Sequence, residues 1–229
     1  MHLCRFHVKH IFFVLLLLPI ASSAQKSNRV TIQVREFPAL PPRNSDVTNF
    51  VASFPEIRSL GSSVAEWFYW TNYSRQSPKA FWDSVVAPIL RVYPQFNTSY
   101  AASLKRELYK NQKLPMLKPN QTLIRLAQAH ANDLSKSGNL SHTSTNGTAF
   151  EQRVFKGGIS KCAAENLSLG IPNPVFSLVL LYLDEGIPDL GHRNNLLSSY
   201  YVEMGIGLSK TKNNYALVVQ DFACHQGTR

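Results

Sequence analysis

The residues of this chain best equipped for chemistry fall in one stretch, residues 140–197. Ser141-His142 follows a glycine suited to end a helix, Gly138; Ala164-Glu165-Asn166-Leu167 reads as extended; Gly191-His192-Arg193 opens a polar turn ahead of Leu196-Leu197. Two imidazoles and a carboxylate that converge can hold a divalent cation through nitrogen and oxygen, or pair a general base with a polarised water. The spacing does not itself enforce convergence, because the three runs are far apart, unlike the i, i+4 histidines of a helical H-E-x-x-H. Ser141 beside His142 makes a poor nucleophile and base pair, since adjacent side chains on extended chain point to opposite faces.

The elements that must position these residues can be read on either side of them. Asn120 is a candidate N-cap for a helix whose face runs Leu123, Ala127, His130 or Ala131, and Leu134, with Gly138 as its stop. Residues 148–156 suggest a short helix closed by Gly157-Gly158, and Pro174 to Leu183 a buried apolar helix starting near Asn173. Asp184, Glu185 and Asp189 follow it as loop acids or as a further acidic group for the site. Two β-rich runs, Val202 to Ser209 and Tyr215 to Ala223, flank a polar turn and make a hairpin. Gly205 and Gly207 leave one face of that hairpin nearly bare, room for a neighbour to come close.

Upstream, Trp67, Phe68, Tyr69 and Trp70, then Phe81, Trp82, Val85, Val86, Ile89 and Leu90, give helical aromatic stripes that read as core, with Pro88 able to kink or end the second. Tyr100 to Lys110 is amphipathic, Leu104 and Leu108 sharing a face. Residues 25–61 read as an extended leader broken by Pro38, Pro41 and Pro42.

The ordered series Ala127-Gln128-Ala129-His130-Ala131-Asn132-Asp133-Leu134, Gly138, Ser141-His142, Gly147, Arg153, Gly157, Ala164-Glu165-Asn166, Gly191-His192-Arg193-Asn194-Asn195-Leu196-Leu197, Gly205-Ile206-Gly207 and Gln220-Asp221-Phe222 resembles the bacterial form of the CAP superfamily, whose module is also called the SCP domain. The match covers best residues 114–223, within a domain of residues 62–229. The resemblance implies an α+β fold, a three-layer α-β-α sandwich, here with an N-terminal helical extension. It implies a ligand cavity lined by His142, Glu165 and His192, with Asp184 at the place of a further acid and Glu185 as its substitute. His142 and His192 would be the metal ligands, zinc before calcium, and His130, on a helix packed against the sheet, would be structural.

Residues 1–24 read as a secretory signal peptide: a basic start with Arg5 and Lys9, an apolar run from Ile11 to Ile20 too short to span a bilayer, and small residues at Ser22 and Ala24 before Gln25. The mature chain is then expected to be secreted or periplasmic, without a transmembrane anchor, and monomeric. The chain carries a net charge of +10, and losing Arg5 and Lys9 leaves it strongly basic, which suits an anionic envelope surface as partner. No basic run interleaved with aromatics and no nucleic-acid motif occurs, so nucleic acid is not an expected partner. Cys4 leaves with the signal peptide. Cys162 and Cys224 remain, an even count in an oxidising compartment, and are expected to pair, the alternative being two separately buried thiols.

Three functions stay open on these residues. The first, which the resemblance implies, is a secreted binding module, not an enzyme, whose cavity takes a divalent cation or a small or lipid-like ligand. The second is a metal-assisted, peptidase-like hydrolase using Glu165 and the histidines. The third is a structural envelope or matrix protein.

Overall fold

The computed structural model describes residues 35–110 and 113–226. The expected signal peptide and the first part of the leader lie outside the described residues. Residues 45–59 are helical instead of extended: α1 (Ser45–Ala52) and α2 (Pro55–Ser59). Asn44 caps α1 by accepting from the Val47 N–H, and Val47 and Val51 are buried, so a cap and an apolar i, i+4 pair outweigh the prolines just upstream.

Four further helices follow: α3 (Ser62–Gln76), α4 (Pro78–Phe81), α5 (Ala87–Val92) and α6 (Ser99–Lys110). A π-helical turn, Trp82–Val86, runs without a break from α4 into α5, and Pro88, in the first turn of α5, has no N–H to give to the carbonyls of that turn. The sheet has the order β1-β3-β4-β2, from β1 (Lys118–Pro119), β2 (Ala163–Gly170), β3 (Glu203–Lys210) and β4 (Ala216–Ala223). The expected hairpin is the antiparallel β3–β4 pair, and β2 is an edge strand paired along its length with β4.

One face of the sheet carries α7 (Gln121–Ser137) and α8 (Phe150–Lys156). Asn120 caps α7 as expected, and Gly138, at φ 70°, ends it in the left-handed conformation that glycine adopts without strain. Close approach explains the two strand glycines: a Cβ at Gly205 would strike the backbone at Leu123–Ile124, and one at Gly207 the backbone of Ala127. Ala127, Ala131 and Leu134 of α7 close this layer over Leu167, Val219 and Leu217.

The other face carries α3, α9 (Pro174–Leu183) and α10 (Gly191–Leu197). Both α3 and α9 are buried almost all round, which is why their aromatic and aliphatic runs lack a polar stripe. Helix, sheet, helix is the expected three-layer sandwich, with α1 and α2 ahead of it. The turn expected at Gly191-His192-Arg193 is instead the first turn of α10. A glycine at its start and the absence of a side-chain cap on Leu190 hide that helix from sequence reading; its cap comes from Asp184, which accepts the Arg193 N–H at 3.1 Å.

Two buried arginines tie the layers together. Arg75 of α3 donates to the carbonyls of Pro115, Leu196, Ser198 and Tyr201, with no carboxylate partner. Arg193 of α10 donates to the carbonyls of Tyr182, Leu183 and Tyr100, to the Ser103 hydroxyl and to Glu107. Cys162 and Cys224 form a disulfide at the start of β2 and the end of β4, extending the ladder that the Cys224 N–H makes to the Cys162 carbonyl.

Candidate functional site

Glu165 and Asn166 are consecutive on β2, so their side chains leave opposite faces of the sheet. Glu165 is in register with Asp221 and Gly205 and therefore faces α7; Asn166 is in register with Gln220 and Ile206 and faces α10. The expected site residues gather around these two positions as two separate carboxylate–histidine pairs.

On the α7 side, His142 Nδ1 donates to Glu165 Oε1 at 2.8 Å. Arg153 Nη2 donates to Glu165 Oε2 at 2.5 Å, and Arg153 Nη1 reaches the His142 carbonyl at 2.8 Å. One arginine thus fixes both members of the pair. The Glu165 side chain is 1 % exposed, and that of His142 57 %. A carboxylate only accepts, so His142 carries its proton on Nδ1 and leaves Nε2 as a lone-pair acceptor in an open position.

On the α10 side, His192 Nδ1 donates to Asp184 Oδ1 at 2.6 Å. Asp184 is buried and stands at the C-terminus of α9 in the left-handed conformation, φ 55°, which lets it turn back on α10. His192 is likewise left with a free Nε2. Asn166 ties β2 to α10: its amide donates to the His192 carbonyl at 3.3 Å and its Oδ1 accepts from Asn195 at 2.8 Å. Glu185, the substitute acid, instead accepts from the Thr98 hydroxyl near the surface.

His142 is therefore joined to Glu165, and His192 to Asp184, but no hydrogen bond links one pair to the other. Among the described residues, no three His, Cys, Asp or Glu side chains stand together as a metal-binding group. The donor set is incomplete as it stands, because both carboxylates are engaged by imidazole N–H groups. Two cavities, of about 350 and 280 Å³, are lined by other residues. The Ser141 hydroxyl accepts from the Thr143 N–H in a local turn.

Two members of the cluster escape sequence reading. Arg153 is one of two basic residues of a short helix, and its role at Glu165 appears only once α8 is placed. Asp221 is brought opposite Glu165 by strand register; it is 2 % exposed and its Oδ1 has no partner. Burial, and then the Glu165 charge, push its carboxyl well above the usual range, which favours the protonated form that can donate to Glu165. His130 completes the layer. Its Nε2 donates to the Ser141 carbonyl at 2.9 Å and stands 3.9 Å from Glu165, while Nδ1 accepts from Ser144. Burial lowers its pKa, which favours this neutral form.

The family described as cysteine-rich secretory protein family, CAP, matches residues 68–222, well over half of the chain. The chain belongs to the CAP family. Its solved structural neighbours include an extracellular SCP-domain protein of Bacillus anthracis (23 % identity, TM-score 0.41), with 55 % of this chain and 38 % of that one covered. An outer surface protein of Borrelia burgdorferi gives 24 % and 0.42 over 59 % of this chain and 91 % of that one. A cysteine-rich secretory protein of Staphylococcus aureus gives 21 % and 0.35 over 56 % and 38 %. This CAP chain thus spans well under half the length of the Bacillus and Staphylococcus proteins. No curated protein matches it.

Proposed function

We propose that this CAP domain is an exported binding module that takes a small ligand at the β2 edge through the Nε2 atoms of His142 and His192. The observation that carries this reading is the matched treatment of the two imidazoles. Each has Nδ1 tied to a buried carboxylate, an arrangement that fixes the tautomer and ring orientation and presents the other nitrogen as a strong acceptor. A guest that donates a hydrogen bond, from a hydroxyl or an amide, suits such atoms. A divalent cation, zinc before calcium, enters only as a guest of the same two nitrogens, completed by atoms the guest brings. The lipid-like ligand expected from the sequence fits through a polar head group.

The hydrolase reading is weaker, because both Glu165 oxygens are engaged, by His142 and Arg153, so Glu165 is not placed as a free base for water. Export is supported by the signal-like first 24 residues and by the disulfide, which persists in oxidising compartments. Among the described residues no helix is long and apolar enough to cross a membrane.

Zinc is the simplest probe that seeks Nε2. Calorimetric titration of zinc into the mature wild type, His142→Ala and His192→Ala at about pH 7.5, where imidazole competes little with protons, tests the reading. Binding that weakens in both variants is the expected result. Equal binding in all three proteins overturns it.

A further inference from the structure

A second concave site lies away from the histidines, where the π-helical turn, α5, the segment from Pro94 to Asn97 and α6 meet. It is a cavity of about 350 Å³, close to the lower bound of ~300 Å³ for small-ligand pockets. Its inner wall is apolar, with Leu90 and Trp82 both buried. Its rim carries Arg91 and Lys105, both exposed, and the Asn97 amide.

Three features make this more than a surface dent. First, Trp82 is 7 % exposed and its indole N–H makes no hydrogen bond within the described protein, whereas Trp70 gives its own to Glu66; the Trp82 donor faces solvent, where a guest can take it. Second, no acid lines the cavity, and nearby carboxylates are engaged elsewhere: Asp83 accepts from the Tyr109 hydroxyl at 2.6 Å, and Glu107 pairs with Arg193 at 3.3 Å. Among the described residues the two rim cations thus have no carboxylate partner, and Lys105 Nζ stands 6.0 Å from the Trp82 ring centre and 5.4 Å from that of Tyr109. Third, Trp82 begins a π-helical turn, an irregularity that costs helix stability and occurs often at functional sites.

We infer that this cavity binds a small organic oxyanion with a flat apolar body. The phosphate or carboxylate lies between Arg91 and Lys105, where guanidinium and ammonium supply charge-assisted hydrogen bonds. The ring lies against Trp82 and Leu90, with the indole N–H as a further donor. This site shares no residue with the His142 and His192 pairs and does not depend on what they bind.

The test uses phenyl phosphate as probe, with inorganic phosphate and benzyl alcohol as its two halves, titrated into the mature protein and followed by calorimetry. Saturable binding of phenyl phosphate, at least about tenfold tighter than either half, is expected. Arg91→Ala with Lys105→Ala, both exposed positions that the fold does not need, should weaken it at least about tenfold, and the remaining affinity should lose its salt dependence. Trp82→Phe, which keeps an aromatic face but removes the N–H and part of the ring, should weaken it severalfold, while His142→Ala leaves it unchanged. Equal affinity of the wild type and the double variant overturns the proposal, as does inorganic phosphate or benzyl alcohol binding as tightly as phenyl phosphate. Absence of saturable binding up to about 10 mM also overturns it.

Discussion

Glu165 and Asp221 stand opposite each other on β2 and β4, and burial together with the Glu165 charge raises the Asp221 carboxyl well above its usual range. Arg153 and His142 both donate to Glu165, which leaves Asp221, among the described residues, the member without a cation beside it. Because the folded pKa of Asp221 is raised above its ordinary 3.8, its contribution to stability is present below that value and is lost as pH rises towards the raised one. At neutral pH the group is a cost. Asp221→Asn keeps the shape and supplies an N–H to Glu165. Its melting temperature should exceed that of wild type at about pH 7, at roughly 2–4 °C per kcal/mol gained, and the gain should shrink towards about pH 4. Thermal melts across pH measure this, and an Asn variant less stable than wild type at neutral pH would show that Asp221 is ionised.

His130 gives the opposite slope. Burial lowers its folded pKa below the ordinary 6.5, so the unfolded chain takes up the proton first. Its contribution is intact above 6.5 and declines as pH falls below it, even though Glu165 and Asp133 oppose the shift. His130→Gln, which can still donate to the Ser141 carbonyl, should flatten the loss of stability expected of wild type between about pH 6.5 and pH 5. Denaturant melts at these pH values decide it; parallel slopes in the two proteins would mean that His130 titrates alike folded and unfolded.

Arg153 is the cation that makes the buried Glu165 tolerable. The two side chains are 11 % and 1 % exposed, so Arg153→Met leaves a carboxylate with little but His142 to balance it. The expected loss is about 3–5 kcal/mol, the scale for removing one partner of a buried pair. The double variant Arg153→Met with Glu165→Gln should recover part of that loss. Additive losses, measured by urea unfolding, would show that the pair is not coupled.

Much of this arrangement is legible in the amino-acid sequence, and what is legible divides from what is not on physical grounds. Local signals mark α7 and α9, because Asn120, Gly138 and Asn173 act within a few residues of the helix ends they define. The bare glycine face of β3 marks the close approach of α7, and the cysteine count marks the disulfide. What escapes depends on distant partners. Helix α10 is capped by Asp184 from outside its own sequence, Asp221 meets Glu165 only through strand register, and Arg75 finds its carbonyls as many as 126 residues away. The helices at 45–59 escape for a different reason, since the prolines just upstream mask a good N-cap at Asn44.

The disulfide sits where it protects that register. Cys162 and Cys224 are separated by 62 residues, and a loop of that length implies about 4 kcal/mol of stabilisation on the chain-entropy account. Replacing both with serine should lower stability by an amount of that order. It should also raise amide exchange along the β2–β4 ladder more than in α9, because the bond fixes the ends of those two strands. Uniform exchange changes across the protein would mean that the bond acts only on the unfolded chain.

Arg75 links the core to the histidine site without touching either histidine. Burial pulls its guanidinium down to about 10, still charged at neutral pH, and four carbonyls carry the charge where no carboxylate is present. Three of those carbonyls, of Leu196, Ser198 and Tyr201, belong to the end of α10 and the chain that leaves it, so the arginine pins the far end of the helix that presents His192. Arg75→Met removes every donor at once and leaves buried acceptors unpaired, at about 1–3 kcal/mol each, so a total loss of at least about 4 kcal/mol is expected. Arg75→Lys keeps the charge but offers one compact ammonium in place of a planar fork, and should recover less than half of that loss. Amide exchange in residues 192–201 should accelerate in both variants before global unfolding, with exchange in α7 unchanged under the same conditions. Equal acceleration in α7 and α10 would show that Arg75 supports the fold as a whole and has no particular hold on the segment that carries His192.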